Sequence, residues 1–151
     1  MSDNKHGAFM HRFVLEAIPT PEESREVARK AIIILKDFVA DENLLHDMDL
    51  VLTEGCSNVA RHAYDKIEEC NKLELTIKVH PGEYIIFEIA DWGKGLCSKS
   101  IDFSMPSPEA VGGRGMFIMS ELMDSFELIK KNGKNIIKLT RKLKEDQWRK
   151  K

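Results

Sequence analysis

Five stretches of the chain alternate apolar with polar residues, and three more repeat apolar residues at helical spacing. "FMHRFVLEAI" (Phe9–Ile18) alternates loosely, with Phe13, Leu15 and Ala17 on one side, and predicts a strand. In "TPEESREVARKAIIILKDFVA" the apolar residues Val27, Ala31, Leu35 and Phe38 return on one helical face. Thr20 is a good N-cap, Pro21 suits the first helical position and Glu23 completes a capping box, so a helix is expected from about residue 21 to about residue 40. "DENLL" is polar and breaks it. A second helix is expected from about Leu44 to about Tyr64, with Met48, Leu52, Cys56, Val59 and Ala63 on its apolar side.

"LELTIKVH" alternates cleanly, with Leu73, Leu75, Ile77 and Val79 facing one way. "PGE" is a turn, and "YIIFEIA" is a second strand with Ile85, Phe87 and Ile89 inward, so the two predict an antiparallel hairpin. The stretch from Asp91 to Gly115 has no periodicity and holds five of the nine glycines and two of the five prolines. A loop of that length inside a compact domain is usually functional. "MFIMSELMD" predicts a short helix that starts at the glycines; its Met116, Phe117, Met119, Leu122 and Met123 read as core. "FELIK", the turn "KNGKN" and "IIKLTRKL" predict a closing hairpin. The order β-α-α-β-β-loop-α-β-β separates hairpins from helices. It predicts an α+β, two-layer sandwich: one mixed, mostly antiparallel sheet with helices on one face.

The 151 residues suit one domain. A chain of this size buries roughly 70% of its unfolded surface and needs no staple. The expected division is an N-terminal tail (1–8), one domain (9–143) and a charged, frayed C-terminal tail (144–151). Net charge is -2, with 42% hydrophobic and 32% charged residues, so nothing global points to nucleic acid or membrane. Cys56, Cys70 and Cys97 are odd in number and widely spaced, which argues against a zinc or disulfide framework and for free thiols in a reducing cytosol. "MSDNKHGAFM" contains no apolar run, so no export signal is expected.

Three short constellations carry candidate chemistry. In "LTEGCSNVARHAYDK" (Leu52–Lys66), Glu54, Asn58 and His62 are spaced i, i+4, i+8 beside the apolar face, and Arg61 joins their stripe. An amide oxygen there can ligate Mg²⁺ beside phosphates, and a carboxylate can take a proton from an attacking hydroxyl. A solvated helix face explains the same residues. In "IADWGKGL", Asp91 ends a strand and could accept a hydrogen bond from a base amino group; Gly93 and Gly95 allow a sharp turn and close backbone approach. An ordinary Asp-Gly turn is the bland alternative. In "VGGRGMFIM", Gly112, Gly113 and Gly115 open a helix whose bare N–H groups suit phosphate, with Arg114 as an added cation. A glycine-rich loop without a ligand would look the same, and no GK[ST] follows to make it a Walker P-loop.

Taken in order, E-x3-N-x3-H-A-Y, D-x-G-x-G, a variable loop and G-x-G opening a helix resemble the GHKL ATPase superfamily (gyrase, heat-shock chaperone, histidine kinase and MutL), whose domain has the Bergerat fold. The likeness runs from about residue 10 to about residue 143 and matches that family's N box and its two glycine boxes. "TEGCSNVARHAY" and "GGRGMFIMSELMD" are most similar to the small bacterial anti-sigma-factor serine/threonine kinases. The domain reads as one that stands alone, with no phospho-acceptor helix or receiver before it.

The resemblance implies roles at the matching positions. Glu54 would be the catalytic base and Asn58 the Mg²⁺ ligand. Asp91 would recognise the adenine amino group of ATP, and Gly93 and Gly95 would shape the base pocket. Gly113 and Gly115 would let backbone N–H groups reach the phosphates, with Arg114 nearby. Residues 96–112 would form a lid over ATP, and His62 would orient the helix or that lid. The partners implied are a STAS-domain anti-anti-sigma protein as substrate and a sigma factor or other regulatory protein as client, with a possible homodimer, in the bacterial cytoplasm. The family often carries a Gly-Thr pair in the closing hairpin, its Thr helping to bind the base; here Lys134 or Asn135 stands near that place. A catalytically inactive ATP-binding module that sequesters a partner fits the same residues. The basic end from Lys130 to Lys151 raises nucleic-acid binding, but a solvated strand face and tail explain it more simply, and Trp148 is thin provision for base stacking.

Overall fold

The computed structural model describes residues 9–64, 71–93 and 113–150. Five strands form one sheet in the order β1-β2-β3-β5-β4: β1 (His11–Ala17), β2 (Leu73–His80), β3 (Tyr84–Asp91), β4 (Ser125–Lys131) and β5 (Lys134–Lys142). Every pairing among these strands is antiparallel, so the mixed sheet allowed by the sequence pattern is uniform in direction. Helices α1 (Pro21–Leu35), α2 (Glu42–Asn58) and α3 (Gly113–Leu122) complete the α+β fold.

Alternation decides which face the helices cover. Leu73, Leu75, Ile77 and Val79 on β2, Ile85, Phe87 and Ile89 on β3, and Ile137 and Leu139 on β5 are buried. They join Val27, Ala31 and Leu35 of α1, Met48, Leu52 and Cys56 of α2, and Met116 and Met119 of α3 in one core. α2 packs against both α1 and α3 and so is the central rod of the helical layer. The opposite sheet face carries the Lys78–Glu88 and Lys134–Glu74 ion pairs. Burial pushes the Cys56 thiol up to about 12, as expected for a core thiol with no charge partner.

Turn chemistry fixes the registers. Asn132 and Gly133 both have positive φ (54° and 76°), the signature of a two-residue hairpin turn between Lys131 and Lys134. That turn sets Asn135 opposite Asp91, the last residue of β3.

Two boundaries differ from the sequence pattern. α1 ends at Leu35 in a turn whose N–H groups still bond back to Ile32, Ile34 and Leu35; beyond it Val39 bridges Trp148, Arg149 N–H donates to the Phe38 carbonyl, and Ala40 N–H donates to the Gln147 carbonyl. The C-terminal segment is therefore docked rather than frayed. Its Gln147 amide also donates to Asp41, the N-cap of α2, at 2.9 Å. At the start of α1, Thr20 accepts from Glu23 N–H as expected, but the Glu23 carboxylate bonds Ile18 N–H instead of closing the box on Thr20. Thr20 N–H is already engaged by the Ile18 carbonyl.

Candidate functional site

The last turns of α2, the end of β3, the beginning of β5 and the first turn of α3 meet at one end of the sheet. Glu54 and Asn58 lie one turn apart on α2, as their spacing predicts. Beyond Asn58 the helix widens into a π turn, Val59–Ala63. The α spacing that aligned His62 with the other two thus ends at Asn58. Such π turns recur at functional sites.

Asn58 is almost wholly buried at 1% exposure. Its amide N–H donates to the Met116 sulfur at 3.5 Å, and its Oδ1 accepts from the Arg61 guanidinium at 2.7 Å. Arg61 also lies 3.9 Å from the Glu54 carboxylate. Sequence spacing put Arg61 on the stripe without showing this clasp. α3 closes the same corner: a Cβ at Gly115 would stand 2.5 Å from Glu54 Oε1. Glycine there lets α3 approach the carboxylate, and the helix begins at Gly113, where the free N–H groups of a first turn are found.

The second corner is built on Asp91, 6% exposed at the end of β3. Its Oδ1 accepts from Gly93 N–H at 2.9 Å and from Asn135 Nδ2 at 3.0 Å. Asn135 Nδ2 donates a second bond to the Gly93 carbonyl at 2.8 Å. Burial raises the Asp91 pKa, and these hydrogen bonds oppose the rise. Gly93 joins the two corners, because a Cβ on it would overlap the Ala63 carbonyl oxygen at the end of the π turn. Tyr64 fastens the same junction: its hydroxyl donates to the Lys72 carbonyl at 2.7 Å and accepts from Trp92 N–H at 2.9 Å.

Of the remaining candidates, Gly95 and the expected lid 96–112 lie outside the described residues. Arg114 is the second residue of α3. No group of three or more His, Cys, Asp or Glu side chains that could hold a metal occurs among the described residues. A cation here would depend on the Asn58 amide oxygen together with ligand oxygens, a donor set that suits Mg²⁺ on phosphates. No described helix is long and apolar enough to cross a membrane.

The model of the histidine kinase-like ATPase domain matches residues 18–141. The chain belongs to that family. No curated protein matches the chain. As a histidine kinase-like ATPase of the GHKL superfamily it is an ATP-binding module, and the matched span contains both corners described above.

The charge state of Asp91 gives the ATPase domain a testable conflict between stability and binding. A carboxyl whose folded pKa is raised contributes stability that is fully present below its unfolded pKa. That stability is lost as pH rises through the folded pKa. Wherever Asp91 is ionised, its charge is thus a burden on the fold. Asp91→Asn keeps the Oδ1 acceptor and removes the charge. The melting temperature at pH 7 is expected to hold or rise, with the gap to wild type closing as pH is lowered past the raised pKa. If Asp91 accepts from the adenine amino group, as the family resemblance implies, ATP affinity is expected to fall roughly 10- to 100-fold, the worth of a hydrogen bond to a charged acceptor. Thermal melts and calorimetric titration check both; a lower melting temperature with ATP affinity intact would contradict the assignment.

Proposed function

We propose that this ATPase domain is a serine/threonine protein kinase that uses Mg-ATP to phosphorylate a STAS-domain anti-anti-sigma protein. In the same proposal it sequesters a sigma factor or similar regulator as a partner-switching anti-sigma factor in the bacterial cytoplasm, with a homodimer as a possible working form. The observation that carries it is the seating of Glu54 against Gly115. The Glu54 carboxylate packs against Gly115 in the first turn of a glycine-started helix, with no room for a side chain between them. A binding module has no need of a base there.

The residues divide the work. Backbone N–H groups at Gly113 and Gly115 hold the phosphates, with Arg114 adding charge. Asp91 accepts from the adenine amino group, and Gly93, with Gly95, shapes the base pocket. Asn58 offers its amide oxygen to Mg²⁺, which supplies charge neutralisation on the phosphate oxygens when bound. The substrate hydroxyl oxygen attacks the γ-phosphorus, the bond from that phosphorus to the β–γ bridging oxygen breaks, and ADP departs with the electron pair. Glu54 receives the hydroxyl proton. Positioning and electrostatics supply most of the acceleration in such transfers.

The test is incubation of the purified chain with γ-labelled Mg-ATP and a panel of STAS-domain proteins, followed by mapping of the label. Label on one serine or threonine of one STAS protein is the expected result. Firm Mg-ATP binding with no transfer to any of them would reduce the chain to an inert sequestering module.

A further inference from the structure

The ladder between β2 and β3 ends at the pair Leu73 and Asp91. One residue beyond it, at Lys72 and Trp92, a side chain takes over from the strands. The Tyr64 hydroxyl donates to the Lys72 carbonyl at 2.7 Å, accepts from Trp92 N–H at 2.9 Å and lies 3.4 Å from Lys72 N. Tyr64 is the half-buried residue that follows the π turn, with extended backbone (φ -126°, ψ 136°). A half-buried phenol ordinarily finds some partner for its hydroxyl. This one finds it on the backbone between the two corners of the candidate site. Toward the helix, the π turn leads straight back to Asn58 and, one turn earlier, Glu54. Toward the sheet, Trp92 directly follows Asp91, whose carboxylate is held from the other side by Gly93 and Asn135. Glycine at 93 lets the two segments approach, since a Cβ there would meet the Ala63 carbonyl and the Tyr64 ring. Close approach limits how near the corners come, whereas a directional bond holds them at one spacing.

We infer that Tyr64 is a positioning residue for nucleotide: its hydroxyl sets the spacing between the Asp91 corner and the Glu54–Asn58 corner, and it acts through Asp91 rather than by touching the ligand. The inference rests on the nucleotide reading of this pocket. A ligand that bonds both corners gains from the second contact only if the first leaves it within reach. An error of spacing is therefore felt as lost affinity even where every contacting group is intact, because such groups must be held to about half an ångström. Removing the hydroxyl frees the Trp92 N–H and the Lys72 carbonyl from the exit of the π turn. Asp91, one peptide away from Trp92, then loses its tie to the helix that carries Asn58.

The experiment is a double-mutant cycle on Mg-ATP affinity: wild type, Tyr64→Phe, Asp91→Asn and the two together, titrated calorimetrically, with competition against a fluorescent ATP analogue for the weakest binders. Phenylalanine keeps the ring beside Gly93 and removes one oxygen. In the wild-type background Tyr64→Phe is expected to lower ATP affinity roughly 3- to 15-fold, the range of an ordinary hydrogen bond. In the Asp91→Asn background it is expected to change affinity by less than about twofold, because the acceptor it places is already gone. A tyrosine that served only the stability of the fold would cost the same factor in both backgrounds. That result would overturn the inference and leave ATP binding in place, as would no loss in the wild-type background. A wild type that binds no ATP, or an Asp91→Asn protein that binds it as tightly as the wild type, would strike the nucleotide reading and the inference with it.

Discussion

Gly93→Ala is expected to lower stability by about 3 kcal/mol, at the upper end of overpacking effects in a tight interior. For a domain of this size that is a fall of roughly 6 to 12 °C in melting temperature. The cause is backbone against backbone. The added Cβ would overlap the Ala63 carbonyl oxygen and stand 2.6 Å from its carbon and 2.8 Å from Tyr64 Cδ1. No rotamer change relieves a collision with a carbonyl, so the segment after β3 must move. Moving it breaks the Gly93 N–H bond to Asp91 and the Asn135 bond to the Gly93 carbonyl. ATP affinity should fall with the melting temperature, because the acceptor group is held by those bonds. Gly55→Ala is the useful contrast, since what its Cβ meets first is the end of the Ile89 side chain, which can shift. Differential scanning fluorimetry settles it: a Gly93→Ala melting curve that overlays the wild type would disprove the close packing.

On the proposed kinase reading, Glu54→Gln is expected to cut phosphoryl transfer roughly 10²- to 10⁴-fold, the share of a general base, while leaving ATP affinity near its wild-type value. Glutamine keeps the length and planarity that pack against Gly115 and gives up only the charge. The ion pair with Arg61 is long, at 3.9 Å, and both side chains are partly solvated at 43% and 29% exposure. Its loss should therefore change stability by less than about 1 kcal/mol. Rapid-quench transfer assays beside calorimetric titrations separate chemistry from binding. Retained transfer would remove Glu54 as the base, and lost ATP affinity would recast it as a binding group.

Periodicity made the scaffold legible. β2 and β3 alternate so cleanly that both their ends and their buried faces follow from sequence, and the apolar side of α2 and of the π turn after it, from Met48 to Ala63, is buried as expected. Glu54 and Asn58 were readable as neighbours because helical spacing is local. What escaped was either subtle or distant. A single π turn displaces His62 by a fraction of a turn, which the eye cannot take from five residues. The Asp91–Asn135 bond joins residues 44 apart in sequence and depends on a hairpin register. The docking of the C-terminal segment was hidden by its charges. Its signal was Trp148, a large aromatic with no place in a solvated tail, which bridges Val39 just past the turn that ends α1.

The Arg61 clasp changes what kind of reaction nucleotide binding is. Asn58 Oδ1 is not waiting in a hollow; it is already occupied by a guanidinium 2.7 Å away, which also lies 3.9 Å from the Glu54 carboxylate. On the proposed reading the Arg61 guanidinium would have to leave Asn58 Oδ1 before that oxygen could hold Mg²⁺. The affinity measured there would then be net of the Asn58–Arg61 bond surrendered. The domain would then discharge ADP without stranding a buried amide or a naked carboxylate. On that reading the arginine displaced as nucleotide binds would be the one that closes the site again when nucleotide leaves.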